Sequence, residues 1–142
     1  IHETSGGTLW LTTLDGGLLR GDGERFVAVD RDGGLPSSRV TTVAEDRFGQ
    51  IWAGTNRGIV RLPAAFEGQP APDAVSVYGF DDGLASVEVL HTSEPAALRR
   101  SDGTILFATL LGLGVVTPGP PKRATAAPKV HIERVLVDGQ SS

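Results

Sequence analysis

Two kinds of side chain in this sequence could carry acid–base or metal chemistry: an adjacent acidic pair and three histidines. Glu45 and Asp46 stand side by side, and glycoside hydrolysis uses two carboxylates. Neighbouring residues of a β-strand point to opposite faces, however, and Asp is favoured in turns, so the pair is predicted to be structural. His2, His91 and His131 lack the spacing of metal ligands. We therefore predict no catalytic residue, no metal site and no cofactor.

The composition favours a folded, β-rich chain. Of the 142 residues, 39% are hydrophobic and 21% charged, and the 19 glycines and 9 prolines disfavour helices and favour turns. The net charge of −4 and the scattered basic residues argue against nucleic acid as a partner. The chain has no cysteine, and its most apolar stretch, 105–116, is too short to cross a bilayer. Any membrane attachment is expected through segments outside this chain.

An internal repeat organises the sequence. The segment GTLWLTT at 7–13 recurs as GQIWAGT at 49–55, an offset of 42 residues, with Gly16 aligned to Gly58. A third copy, GTILFAT at 103–109, follows 54 residues later, and the additional residues are assigned mainly to a surface loop at 63–74. Such a period is typical of propeller blades.

Each repeat unit divides into short strands of apolar and β-branched residues. In the second unit these are 40–45, 51–55, 58–62 and 75–78, separated by turn residues. Four antiparallel strands in each unit predict an all-β fold, a partial β-propeller of two to three blades. Trp10 and Trp52 recur at one place in the repeat, so they are predicted to be wedged between blades rather than to stack on a ligand. The remaining structural positions of the repeat are Gly49, Gly54, Thr55 and Gly58.

The composition changes after the third unit. We predict propeller blades over 1–117, with repeats at about 1–30, 31–79 and 80–117, followed by a Pro-rich linker at 118–128. The alternating segment 130–137, which ends in Asp138 and Gly139, predicts the first strand of a new β-domain covering 129–142.

A resemblance to a known family is carried by residues 34–61, GLPSSRVTTVAEDRFGQIWAGTNRGIVR. This string closely resembles the two-component regulator propeller repeat. The third unit is similar to the divergent last blade of such propellers, and residues 128–135 are similar to the beginning of the immunoglobulin-like sandwich domain that follows them. The sequence departs from the pattern at Thr12, at the additional Gly17, and at Leu106 and Phe107.

The resemblance implies a sensor. In that family the propeller lies outside the cytoplasmic membrane, ahead of a transmembrane helix and usually a histidine kinase, so it implies a periplasmic or extracellular location in a bacterial receptor. The implied partners are an extracellular small molecule or carbohydrate, the remaining blades and sandwich domain of the same protein, and a second receptor subunit in a homodimer. Because the chain has no methionine and begins with Ile1, we expect it to be a fragment.

Two other functions stay open. The chain could belong to a propeller polysaccharide lyase or glycosidase whose acid and base lie on other blades, or to a protein-interaction scaffold without a small ligand. The sensor interpretation has its candidate residues at one end of the blades. Loops between the second and third strands and loops between blades share that end, and their candidate ligand-binding residues are Arg39, Asn56, Arg57 and Glu88.

Overall fold

The computed structural model describes residues 1–92 and 95–121, together with the backbone of two short strands further along the chain. Strands dominate, and the described part contains no α-helix, only two 3₁₀ turns at Pro72–Ala74 and Phe80–Asp82. Within that part, no helix is long and apolar enough to span a membrane. The chain is therefore all-β, in agreement with its glycine and proline content.

Three antiparallel sheets follow one another along the chain, one for each repeat unit. The first contains β1 (His2–Glu3), β2 (Leu9–Thr12), β3 (Leu18–Gly21) and β4 (Phe26–Val29). The second contains β5 (Val40–Glu45), β6 (Ile51–Thr55), β7 (Gly58–Leu62) and β8 (Ser76–Tyr78). The third contains β9 (Ala97–Arg99), β10 (Ile105–Thr109) and β11 (Gly112–Val116). Each sheet pairs consecutive strands, and the three form the blades of a partial β-propeller.

The same tight turn joins the first two strands of every sheet. In the second sheet the amide of Asp46 donates to the carbonyl of Gln50 at 3.0 Å, and the amide of Gly49 donates to the carbonyl of Asp46 at 3.2 Å. Gly49 has a φ of +76°, a conformation that favours glycine. The other two sheets repeat both bonds with the residue pairs Thr4 and Thr8, Gly7 and Thr4, Arg100 and Thr104, and Gly103 and Arg100.

Apolar side chains fill the two spaces between the sheets. Trp10 is 2% exposed and packs with Val40 and Ile51 between the first and second sheets. Trp52 is 3% exposed and packs with Ile105 and Phe107 between the second and third sheets. The two indoles therefore occupy equivalent places, one sheet apart, where burial of large aromatic side chains contributes strongly to stability.

The third sheet lacks a fourth strand among the described residues. In the first two sheets a glycine at the start of the third strand leaves room for the backbone of the fourth. A Cβ added to Gly17 would lie 2.4 Å from the carbonyl oxygen of Val29, and one added to Gly58 would lie 2.5 Å from that of Tyr78. The matching Gly112 has open space at this place. Among the strands that the structure describes, β11 is therefore an edge of the third sheet.

The outer face of the third sheet is apolar and exposed. Leu98 and Val115 flank Leu106 on neighbouring strands, and they are 54% and 59% exposed. In the second sheet the matching central position is held by Trp52, which the third sheet covers. The face at Leu98, Leu106 and Val115 is thus equivalent to faces that are buried in the first two sheets.

The strand register corrects the alignment of the first hairpin. Leu18 follows Gly17 and pairs with Thr12. Ile59 follows Gly58 and pairs with Gly54, the residue that matches Thr12 in the repeat. Gly17 therefore takes the place that the sequence alignment gave to Gly16. The extra residue lies in the turn between β2 and β3.

The additional residues between the second and third copies of the repeated segment lie in two places. Part of them lies in the connection between β7 and β8, as predicted for the loop at 63–74. The rest lies after Val89, which matches Val40: Ala97 follows Val89 by eight residues, whereas Val43 follows Val40 by three. The sequence alignment did not predict this second insertion, because it lies between the recognisable motifs.

The three sheets lie within the units 1–30, 31–79 and 80–117, whose limits stay a prediction. Most of the predicted linker at 118–128 and most of 129–142 lie outside the described residues. Within the last segment β12 (Leu136–Val137) pairs with β13 (Gln140–Ser141), whereas the sequence predicts a single strand over 130–137. Asp138 and Gly139, which separate β12 from β13 in the sequence, form a dipeptide preferred in two-residue hairpins.

Candidate functional site

A two-residue hairpin between β6 and β7 forms the centre of the candidate site. The hydroxyl of Thr55 donates to the carbonyl of Gly58 at 2.8 Å and accepts from the amide of Arg57 at 3.0 Å. A threonine holds the corresponding hairpin in the other sheets, through Thr13 to Gly17 and Thr109 to Gly112, each at 2.8 Å. These hydroxyls fix the direction in which the hairpin tip, Asn56 and Arg57 in the second sheet, leaves the blade.

The segment that leads into the third sheet is bonded to this hairpin. The amide of Gly58 donates to the carbonyl of Val87 at 2.8 Å, and the amide of Val89 donates to the carbonyl of Thr55 at 2.9 Å. Glu88 stands between the two bonds, and its own carbonyl accepts from the amide of Leu110 at 2.9 Å. The backbone therefore holds Glu88 beside the hairpin tip of the second sheet and the hairpin of the third.

Arg39 occupies the same place one sheet earlier. Its amide donates to the hydroxyl of Ser37 at 3.1 Å, as the amide of Glu88 donates to the hydroxyl of Ser86 at 3.1 Å. The next residue, Val40, pairs with Thr55 across β5 and β6, so Arg39 also lies near the hairpin tip. The structure thus brings Arg39, Asn56, Arg57 and Glu88 to one end of the second sheet, around Thr55.

Polar groups at this end are available for a ligand. Arg39 and Arg57 are exposed, whereas Asn56 and Glu88 are half-buried. The side-chain Oδ1 of Asn56 is buried without a hydrogen-bond partner in the described part of the chain. The one ion pair between described residues joins Arg100 to Asp102, at the opposite end of the third sheet. A ligand carrying hydroxyl or charged groups would meet side chains of both charge signs at this end.

The acidic pair is used by the fold. Asp46 is 2% exposed, and its carboxylate accepts from the amides of Phe48 and Gln50, from the Gln50 side chain and from the indole of Trp52, at 2.8 to 3.0 Å. Glu45 accepts from the amide and hydroxyl of Ser5 in the first sheet, at 2.9 and 3.1 Å. Both carboxylates are therefore engaged in turn formation and in contact between sheets.

A cavity of about 560 Å³ lies beside the first strands of the sheets. Its lining includes His2, His91, Thr41 and Thr42. Burial lowers the pKa of His2, Glu45 opposes this effect, and Arg99 adds to it. Sequence reasoning treated the two histidines as unrelated because they lie in different repeat units, and no sequence signal pairs them, since His2 lies on β1 and His91 lies in the connection before β9. In the described residues, no three His, Asp or Glu side chains form a group that could hold a metal ion.

Comparison with known proteins identifies the element that builds this site. Residues 34–57 match the family model of the two component regulator propeller. This segment is similar to one repeat of that propeller family. It begins at the connector that carries Arg39, runs through β5 and β6, and ends at Arg57 on the hairpin tip. Three of the four candidate residues therefore lie within the matched repeat.

The fold has a solved relative of similar architecture. The extracellular domain of a hybrid two component system protein from B. thetaiotaomicron matches this chain with a TM-score of 0.70 and 22% sequence identity. The match covers 92% of this chain and 19% of that one, so this chain spans about a fifth of the length of its relative. No curated protein matches the sequence significantly.

Proposed function

We propose that this chain is part of the ligand-sensing, extracytoplasmic propeller of a two-component receptor, and that its ligand binds at the hairpin end of the second sheet. The observation that carries the proposal is the position of the matched repeat, whose two ends supply Arg39, Asn56 and Arg57 to one place. The similarity to the extracellular domain of a two component system protein supports a location outside the cytoplasmic membrane.

The ligand of this site is a polar molecule, such as a carbohydrate with several hydroxyl groups. The guanidinium of Arg57 donates to the ligand, and the carboxylate of Glu88 accepts from its hydroxyl groups. These groups come from two sheets, because Glu88 belongs to the segment that leads into the third. A ligand that contacts both sheets binds one relative arrangement of the two sheets more tightly than another.

This difference in affinity is the basis of signalling in the proposal. A ligand shifts a conformational equilibrium only by as much as it favours one state over the other. The bonds of Gly58 to Val87 and of Thr55 to Val89 lie directly behind the site and connect the two sheets. They would transmit the shift to the rest of a receptor that contains further blades, a sandwich domain, a membrane-spanning segment and a histidine kinase in a homodimer. The chain itself performs no catalysis in this proposal.

The test uses a receptor domain that contains this chain and a panel of oligosaccharides of different sugar and linkage. Thermal unfolding identifies the sugar that stabilises the domain, and calorimetry then measures its affinity. We expect Arg57→Gln and Glu88→Gln each to weaken binding by about ten-fold, the loss of one charge-assisted hydrogen bond. Arg25→Gln, which removes an exposed arginine outside the hairpin end, is the matched control and should bind as the wild type does.

Two results would contradict the proposal. One is unchanged affinity of both site variants for a sugar that stabilises the wild type. The other is cleavage of a polysaccharide by the domain with turnover, detected as new reducing or unsaturated ends, which would assign the chain to a propeller lyase or glycosidase.

A further inference from the structure

Three arginines converge at the end of the sheets opposite the candidate sensor site. Arg47, Arg99 and Arg100 line a cavity of about 360 Å³, together with Ser101, Asp102 and Gly103. Arg47 comes from the turn between β5 and β6, and the other residues come from β9 and the turn between β9 and β10. The cavity therefore lies where the equivalent turns of the second and third sheets meet.

The strand register shows that the third sheet has reversed the charge of the repeat at this turn. Glu45 pairs with Ile51 in the second sheet, and Arg99 pairs with Ile105 at the same place in the third. The next residue is Asp46 in the second sheet and Arg100 in the third. Asp46 is buried and its carboxylate accepts four hydrogen bonds, whereas Arg100 is exposed. An acidic pair with a structural function is thus replaced by a basic pair that faces solvent.

One carboxylate lies within the cluster and neutralises part of it. Asp102 forms an ion pair with Arg100 at 3.2 Å, and its Oδ1 accepts from the amide of Thr104 at 2.9 Å. The amide of Thr104 lowers the pKa of Asp102, so the carboxylate stays ionised. Three guanidinium groups against one carboxylate leave a local excess of positive charge in a chain whose net charge is −4.

Arg47 is held in position for binding. Its guanidinium lies over the ring of Phe48, 5.1 Å from the centroid. The same group lies against Gly103, where a Cβ would come within 3.6 Å of the guanidinium carbon. A stacked guanidinium keeps its in-plane N–H donors directed outwards, and this planar fork matches the oxygen atoms of tetrahedral anions.

We propose that this cluster, the arginine cavity, is a binding site for a compact anion with at least two negative charges, a sulfate or phosphate group. Arg47 and Arg99 provide the guanidinium contacts, and the Ser101 hydroxyl adds a donor. Asp102 restrains the affinity because it pairs with Arg100 and repels an anion. The site is independent of the proposed sensor function, since it shares no residue with the hairpin end.

The test measures binding of three probes to the 142-residue chain by calorimetry at low ionic strength: inorganic sulfate, inorganic phosphate and pyrophosphate. We expect Arg47→Gln and Arg99→Gln each to weaken pyrophosphate binding by about five-fold, the effect of one charge near 4 Å in water. Arg25→Gln removes the same charge from an exposed position of the first sheet, outside the arginine cavity, and should leave binding unchanged. Equal binding of sulfate and phosphate at pH 8 would show that the site recognises charge and shape alone. Tighter binding of one of the two would identify that anion as the group the site recognises.

The decisive variant is Asp102→Asn. Its amide oxygen still accepts from Thr104, but the negative charge is gone, so pyrophosphate should bind about five-fold more tightly. A gain in affinity does not arise from misfolding. If Asp102→Asn binds no better than the wild type, or if Arg25→Gln weakens binding as much as Arg99→Gln does, the proposal is wrong and any binding is diffuse attraction to surface charge.

Discussion

The indole nitrogen of Trp52 donates a hydrogen bond of 2.8 Å to the carboxylate of Asp46, six residues earlier in the chain. This bond joins the turn that precedes β6 to the second residue of that strand. The side chain of Gln50 donates to the same oxygen at 2.9 Å. A single carboxylate thus satisfies several donors that would otherwise be buried without a partner, which gives the acidic residue of the repeat a structural role.

The first prediction is that Asp46→Ala lowers the free energy of unfolding by about 2–4 kcal/mol, because each buried donor left without an acceptor costs about 1–3 kcal/mol. Urea unfolding followed by tryptophan fluorescence measures the change. Asp81→Ala removes the same charge from an exposed position and should change stability by less than about 0.5 kcal/mol. Equal stability of the two variants would show that the Trp52 bond contributes nothing.

The second prediction compares two glycines with positive φ. Gly58 has φ +126° and faces the Tyr78 carbonyl, whereas Gly112 has φ +138° and open space. Alanine strains the backbone at both positions, but only at Gly58 does the new methyl group displace a neighbouring strand. Gly58→Ala should therefore destabilise the chain by about 1–3 kcal/mol more than Gly112→Ala. Urea unfolding of both variants at one protein concentration gives the difference, and a smaller effect at Gly58 would contradict the fourth-strand argument.

The third prediction concerns the exposed face of the third sheet. Apolar faces of this kind, next to an open strand edge, promote association between chains, so the 142-residue chain should self-associate at micromolar concentration. Replacing Leu98 and Val115 by lysine should shift light scattering towards the monomer. The same change at Leu110 and Leu111, which are exposed on a hairpin tip, is the control and should have a smaller effect. A wild-type chain that is a stable monomer would refute the prediction.

The fourth prediction concerns His2, whose pKa is lowered from 6.5 mainly by burial. Since the unfolded chain binds this proton more readily than the folded chain, the contribution of His2 to stability is present above pH 6.5 and is lost as the pH falls below it. Arg99→Gln removes a positive charge that acts in the same direction, so it should raise the pKa of His2. NMR titration of the imidazole measures both values. Arg25→Gln should leave the pKa of His2 unchanged, and a pKa of His2 above 6.5 in the wild type would contradict the prediction.

The strands of the second unit are those for which sequence reasoning succeeds best. The segments 40–45, 51–55 and 58–62 agree with β5, β6 and β7 at both ends, and the fourth strand begins one residue later than predicted. Runs of apolar and β-branched residues, separated by turns that contain glycine, set these limits, so each strand can be recognised from its own short segment of sequence.

The parts that sequence reasoning missed depend on contacts between distant residues. The insertion before Ala97 is visible only when Val89 is seen to pair with Thr109, as Val40 pairs with Thr55. The meeting of Arg47 with Arg99 likewise requires the packing of one sheet against the next. The four residues at the hairpin end could be predicted from the sequence, because the alternating direction of consecutive strands determines which loops share one end of a blade. That argument gave no information on the buried oxygen of Asn56.

The path of the chain after the third sheet determines which contacts resist a pulling force applied to its end. Beyond β11 the carbonyl of Gly119 accepts from the side chain of Gln50 at 3.0 Å, so the departing segment is fastened to the second sheet. A pulling force applied after Gly119 acts on this bond, and through Gln50 on the carboxylate of Asp46, as well as on β11. Tension on the end of the chain is thus shared by two neighbouring sheets, and the turn of the repeat serves as their common mechanical anchor.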